Sequence, residues 1–283
     1  MKPSVTLLGT GGPRPEVARG GTSLLIRYGD DMVLIDAGRG VVRQLSTLNI
    51  PLAKLTRMLV THHHYDHIGE LHDVILTSWL LGRRELLQIY GPPETRRIVE
   101  ALFTQIYDKD IEFRVAGEPA NGAFVPALVS DVTSGVVYET DRYRIVAERV
   151  NHGDGLDFSD AFRSRWICLG YRFECLDGVI AFSGDTVDCL GLERLAANAD
   201  ILVQCCYLAR SEIVGEHIAR VARYTLASAD TVGAIATRAA VRKLVLTHHR
   251  AKSPELLAEV KADVERDFAG EVILGADRLV VSC

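Results

Sequence analysis

Apolar residues in this chain gather into short runs that end in Gly, Asp or another turn-forming residue. Between these runs the apolar positions recur three and four apart. Short runs bounded by turn residues predict strands, and the three-to-four spacing predicts helices packed on them by one face. Strands are expected at residues 5–8, 22–27, 32–35, 57–60, 86–90, 143–150, 168–173, 179–182, 201–204, 243–246 and 271–274. Helices are expected at 39–48, 66–81, 94–107, 190–198, 228–238 and 254–268. This alternation predicts an α/β fold. Residues 117–135, rich in Gly, Pro and Ser, read as a surface excursion, and no low-complexity linker divides the chain, so one domain spanning 1–283 is expected.

Two stretches echo each other in the same order. Met32–Gly38 (MVLIDAG) precedes Arg57–His63 (RMLVTHH), and Val179–Asp185 (VIAFSGD) precedes Lys243–His249 (KLVLTHH). Each is an apolar strand running into an Asp beside a Gly, followed later by a basic residue, three apolar residues and Thr-His-His. Two related halves packed face to face would bring such strand-end loops to one edge, where open α/β sheets place their sites.

Composition narrows the picture. With 48% hydrophobic and 24% charged residues in 283, the chain is an ordinary globular protein and not a disordered or fibrous one. Its 32 Lys+Arg against 37 Asp+Glu give a net charge of −5, so no broad basic field is available for nucleic acid. No apolar run approaches a membrane span, and the segment MKPSVTLLGTGG is too short in apolar residues for a signal peptide; a cytoplasmic protein without a membrane partner is expected. The six cysteines form no C-x-x-C pair, which argues for reduced thiols; Cys205-Cys206 follows an apolar strand and reads as buried.

The strongest chemical signal is His62-His63-His64-Tyr65-Asp66-His67, four of the nine histidines at a strand-to-helix junction. Side chains two apart share a side of an extended segment, so His62 and His64 can meet one metal ion while His63 points away. Asp66 and His67 then stand where the chain turns into a helix and can meet a second ion. Further donors at strand ends are His152, Asp185 and His248, the last preferred over His249 because it matches His62 in the echo. Nitrogen ligands with a minority of carboxylates suit zinc, with manganese, iron or cobalt as alternatives. His72 and His217 read as surface residues and Trp79 as core, whereas residues 157–166, following His152, border the substrate. Gly9-Thr10-Gly11-Gly12 lacks the Lys-Ser/Thr of a phosphate loop and reads as a tight turn near the site.

The set His62-x-His64-x-Asp66-His67, His152, Asp185 and His248 resembles the metallo-β-lactamase superfamily. The likeness is closest to its ribonuclease Z and arylsulfatase-like branch, through Leu8-Gly9-Thr10-Gly11-Gly12-Pro13, Ile89-Tyr90-Gly91-Pro92-Pro93, Leu169-Gly170-Tyr171-Arg172, Ser183-Gly184-Asp185-Thr186 and Leu244-Val245-Leu246-Thr247-His248. The resemblance implies a four-layer αβ/βα sandwich and a homodimer. It implies that His62, His64 and His152 hold one metal ion, that Asp66, His67 and His248 hold the other, that Asp185 bridges them, and that Asp36 orients a ligand from behind. Two divalent ions, foremost Zn2+ with Mn2+ or Fe2+ as alternatives, would place a hydroxide between them as nucleophile. Asp66 or His249 is the candidate donor of a proton to the leaving group.

The chain also departs from that branch. Ribonuclease Z enzymes carry His-Glu-Ala-Thr where this chain reads Gln204-Cys205-Cys206-Tyr207, and a histidine where an ungapped match puts Leu226. No glycine- and proline-rich arm for clamping tRNA is evident. The expectation is therefore a metal-dependent hydrolase of a small ester-like substrate: a carboxylic ester, lactone, phosphodiester or sulfate ester. Nucleic acid is not expected as a partner. The alternatives are a ribonuclease Z-like phosphodiesterase or nuclease, and a non-catalytic metal-binding protein on the same fold.

Overall fold

The structure is a computed structural model and describes residues 2–283. Among these residues, strands β1 (Ser4–Gly9), β2 (Ser23–Tyr28), β3 (Asp31–Ile35), β4 (Arg57–Leu59), β5 (Leu87–Gly91) and β6 (Ala127–Asp131) belong to one sheet. The second sheet contains β7 (Gly135–Glu139), β8 (Tyr143–Val150), β9 (Cys168–Cys175), β10 (Gly178–Phe182), β11 (Ile201–Cys205), β12 (Lys243–Thr247) and β13 (Glu271–Leu274). The last strand, β14 (Val280–Ser282), returns to pair with β1. The orders are β14-β1-β2-β3-β4-β5-β6 and β13-β12-β11-β10-β9-β8-β7.

Strand alternation builds the layers. Val33 and Ile35 of β3 face the other sheet and meet Phe182, Ile201, Val203 and Val245, whereas Met32 and Leu34 point outward to Leu45, Val74 and Ile75 of the covering helices. On the second sheet Leu202, Leu244 and Leu246 point outward to Val232, Ile235 and Val260. The result is the helix–sheet–sheet–helix sandwich expected from the resemblance. Strands buried on both faces read as unbroken apolar runs, which is why they were visible in the sequence.

Each sheet has the same pairing grammar. From one edge, three antiparallel neighbours are followed by three parallel ones: β14 to β3 and then β3 to β6, and β7 to β10 and then β10 to β13. The chain therefore does consist of two halves, but the Thr-His-His echo is not in equivalent positions. β4 lies beside β3, while the strand beside β10 is β11, and β12 lies one strand further out. The echoed motifs share a strand-end role and not a place in the repeat.

Other differences sit at edges. Residues 117–135 are not all surface excursion, since Ala127–Asp131 pairs in parallel with β5 as an outer strand. The outer strands β7 and β14 and the helix Asp108–Gly117 have no strong periodic signal because none of them, β14's Val281 apart, contributes a buried apolar residue. The helix Gly215–Tyr224, absent from the expected elements, is amphipathic and packs Val221 against the outer core. The helix expected at 66–81 divides into Tyr65–Ile68 and Leu71–Leu80. Glu70 leaves helical geometry at the break, and its carboxylate accepts the N–H groups of Gly40 (2.5 Å) and Val42 (3.3 Å), satisfying the start of the helix Val41–Thr47. No helix among the described residues is long and apolar enough to cross a membrane.

The sheets are stitched together near one edge. The Thr61 carbonyl, just past β4, accepts the N–H of Leu169 on β9 at 2.9 Å, and the Tyr171 hydroxyl donates to the Val60 carbonyl at 2.8 Å. These bonds hold the ends of β4 and β10 close enough for their loops to share one site.

Candidate metal centre

Five loops converge on that edge: Thr61–His67 after β4, His152 after β8, Asp185 after β10, His248 after β12, and the turn Thr10–Pro13 after β1. The ring nitrogens and carboxylate oxygens of His62, His64, His152 and Asp185 form one set, and those of Asp66, His67 and His248 form another; within each set the atoms lie within 4.8 Å of one another. In the first set His64 Nδ1 stands 2.9 Å from His62 Nε2 and 3.3 Å from His152 Nε2. Asp185 Oδ2 joins the sets, at 3.1 Å from His248 Nε2, 3.5 Å from His67 Nε2 and 3.9 Å from His152 Nε2. All seven residues expected from the sequence as ligands are thus brought together, with His62 and His64 converging and His63 turned away to Thr95 Oγ1 at 2.8 Å.

Hydrogen bonds behind the cluster fix which nitrogen of His62, His67 and His152 faces inward. Asp36 is fully buried, and its Oδ2 accepts from His67 Nδ1 (2.8 Å) and from the Thr61 hydroxyl (2.8 Å), while Oδ1 accepts the Thr61 N–H (2.8 Å). Because the Thr61 hydroxyl spends its proton on Asp36, its oxygen receives the Nδ1–H of His62 at 3.0 Å. One carboxylate therefore directs the Nε2 atoms of both His67 and His62 into the site. His152 Nδ1 donates to the Thr225 carbonyl at 2.6 Å, which does the same for that ring. Such outer partners set ligand orientation and basicity. Both Asp36 (φ 57°) and His248 (φ 58°) hold left-handed backbone that residues other than glycine rarely adopt, strain of the kind that collects at functional sites.

The electrostatics show what the cluster lacks. Burial, reinforced by neighbouring imidazoles, pushes His62 well below the ordinary histidine range and His64 to about 4, so both offer free lone pairs. Burial would raise the Asp185 carboxyl, but His248 and His67 hold it well below the carboxylate range. His67 is opposed by burial and raised by Asp185 and Asp36. Asp66 Oδ2, Asp185 Oδ1, and the Nε2 atoms of His67 and His248 are buried with no hydrogen-bond partner. Unsatisfied buried groups of this kind are costly. Converging imidazoles, anionic carboxylates and orphaned donor atoms fit a divalent cation.

A cavity of about 260 Å³ opens onto the cluster, walled also by Pro13, Tyr65, Thr225 and Leu226. Gly12 packs on the His248 ring, where a Cβ would stand 3.0 Å from Cε1 and 3.3 Å from Nδ1. The turn is pinned by Asp277, which accepts from Thr10 N (2.9 Å), Thr10 Oγ1 (2.8 Å), Gly20 N (2.7 Å) and Gln44 Nε2 (2.9 Å). Gly12→Ala should therefore displace His248 and lower divalent-metal affinity about tenfold or more, read by chelator competition, with little change in urea midpoint.

The remaining candidates lie elsewhere. His249 is buried, donates Nε2–H to the Leu246 carbonyl at 3.0 Å and does not line the cavity, so the structure does not bring it to a leaving group. Cys205 is buried against Thr186, and burial pushes its thiol up to about 12, consistent with a packing residue. Leu226 lines the cavity, so the substituted position faces the site. His72 stacks on Tyr107 and His217 is exposed, both on helices, and Trp79 is core. Asp277, Thr61 and Thr225 act by holding other groups, and a lone Asp or Thr carries no sequence signal for that.

Residues 31–249 match the model of the Beta-lactamase superfamily domain. The chain is similar to the Ribonuclease Z of Mycobacterium marinum, 34% identical over 285 residues and covering 96% of both chains. In structure it is similar to the metallo-beta-lactamase fold protein YhfI from Bacillus subtilis, with a TM-score of 0.76, 18% identity and full coverage of both chains. It is also similar to the short form of human tRNase Z, with a TM-score of 0.72, 20% identity, and 99% of this chain and 98% of that chain covered. The relatives overturn the expectation that nucleic acid has no part in this protein's chemistry, because a full-length relative at this identity is a ribonuclease. The net charge of −5 misled because it sums the whole surface, whereas a polyanion meets only the charges around the site. Fold and cluster together indicate divalent-metal binding.

Proposed function

Because the chain belongs to the metallo-β-lactamase superfamily, as a hydrolase of its ribonuclease Z-like branch, we propose that it is a two-metal phosphodiesterase acting on RNA. The observation that carries this is the pair of adjoining ligand sets joined through Asp185. In this reading His62, His64 and His152 would hold one ion and Asp66, His67 and His248 the other, with the Asp185 carboxylate available to both sets. Zinc is the expected metal, since imidazole predominates over carboxylate among the donors. Bound there, divalent ions supply Lewis acidity toward a phosphoryl oxygen and lower the pKa of a water.

The chain's own residues do the rest. Asp36 locks His67 directly and His62 through Thr61, and the Thr225 carbonyl locks His152. Asp66 is suited to accept and not to donate a proton, since His248 and His67 outweigh its burial and keep it ionised. Leu226 closes the wall of the cavity with an apolar surface where the related enzymes carry histidine, so this site does not supply an imidazole proton from that position. The broader expectation of carboxylic ester, lactone or sulfate ester substrates gives way to the phosphodiesterase alternative, which the relatives favour.

The test is hydrolysis of bis(p-nitrophenyl) phosphate and of a short fluorescent RNA by zinc- and manganese-reconstituted protein, with His64→Ala as control. Phosphodiester cleavage that falls by about 10²-fold or more in the variant is expected. Metal-loaded protein that cleaves an ester or lactone but neither phosphodiester would overturn the reading.

A further inference from the structure

β8 and β9 are antiparallel neighbours, and such strands need only about two to five connecting residues. Here β8 ends at Val150 and β9 begins at Cys168, so residues 151–167 form a long excursion with its own short helix, Asp160–Arg163. A connection far longer than its strands require is commonly a binding loop. It starts at His152 and returns to the same place: Trp166 Nε1 donates to the His152 carbonyl at 2.9 Å, and its ring centroid lies 4.8 Å from that of His64 and 5.8 Å from that of His62.

An aromatic stack runs outward from the cluster. Phe162 lies over Trp166 with centroids 5.5 Å apart and planes at 17°, is braced edge-on by Phe158 at 4.7 Å, and is 39% exposed. Phe162 and Trp166 form one wall of a cleft of about 210 Å³ whose other side carries His63, Glu94, Arg97 and Arg165. Glu94 holds left-handed backbone (φ 80°), and its carboxylate accepts from Arg165 Nε (2.6 Å) and Nη2 (2.9 Å) and from Arg97 Nη2 (2.6 Å). Both guanidinium groups stay mostly exposed beside the open aromatic face, with Asp131 behind them accepting the Glu94 and Arg96 N–H groups.

We propose that this cleft binds the nucleotide adjoining the scissile phosphodiester, its base stacked on Phe162 and its phosphate turned to Arg97 and Arg165. The proposal rests on the phosphodiesterase reading and adds to it a subsite for a base. Trp166 couples the two places, since it touches the ligand histidines on one side and backs Phe162 on the other. Stacking on an aromatic side chain accepts any base.

The test compares two ligands that differ only in the base. Dissociation constants of adenosine 5′-monophosphate and ribose 5-phosphate are measured by calorimetry on the zinc-loaded full chain, Phe162→Ala and Phe162→Tyr. The base should tighten binding about tenfold in the natural protein and in Phe162→Tyr, and about twofold or less in Phe162→Ala. A ratio near one in the natural protein, an unchanged ratio in Phe162→Ala, or no binding of either ligand would overturn the subsite. Failure of the phosphodiesterase reading is separate: it appears as cleavage of neither bis(p-nitrophenyl) phosphate nor the RNA, whatever the base contributes to binding.

Discussion

Asp185→Asn should abolish phosphodiester hydrolysis, lowering kcat/KM by about 10³-fold or more, equivalent to ~4 kcal/mol of transition-state stabilisation. The reason is that Asp185 Oδ2 is the oxygen within reach of both ligand sets, 3.1 Å from His248 Nε2 and 3.9 Å from His152 Nε2. An asparagine preserves the shape but removes the charge by which, in the proposed reading, one side chain would serve both ligand sets. Metal content measured by plasma mass spectrometry should fall along with activity. A variant that kept both its zinc and its rate would remove Asp185 from the centre of the chemistry.

Asp36→Ala should have the second largest effect, and on two observables at once. The carboxylate is fully buried and accepts three hydrogen bonds, two from Thr61 and one from His67. Truncation leaves those donors unpaired and His67 with Asp185 as the remaining carboxylate that favours its charge, so urea unfolding of the metal-free protein should show a loss of about 3–5 kcal/mol. Asp36→Asn is the companion variant. It keeps the volume and one acceptor but sets an amide against the Thr61 hydroxyl or the His67 ring. Zinc affinity by chelator competition should then fall about 10- to 100-fold with a smaller stability loss. Affinity unchanged in Asp36→Asn would show that Asp36 supports the fold alone.

Much of the site was legible in the chain because its chemistry is local in sequence. His62 to His67 lie in one strand-to-helix turn, and the spacing of His62 and His64 sets them on one side of it. His152, Asp185 and His248 were visible at the ends of strong apolar runs. The buried strands β3 and β10 to β12 lie close to their expected limits, since burial on both faces leaves a continuous apolar signature, and β8 does so because its buried and exposed residues alternate. The edge strands β6, β7 and β14 escaped notice because a strand with one partner and one covered face needs fewer apolar residues.

The sequence by itself determined which residue types carry the chemistry and that their strands end at one edge. Tertiary structure alone decided what depends on chain segments far apart meeting. It showed that β11, not β12, is the counterpart of β4, because strand equivalence follows from hydrogen-bonded neighbours and not from shared letters. It turned His249 into the wall with its Nε2 on the Leu246 carbonyl while His248 reaches the carboxylates, since a one-residue step reverses the direction of a side chain. It also joined Asp36 to His62 through Thr61, and set Arg97, Arg165 and Phe162 around one cleft in a chain that is acidic overall. Sequence records the donors and charges, but the direction of a lone pair and the place of a charge are three-dimensional quantities that packing alone supplies.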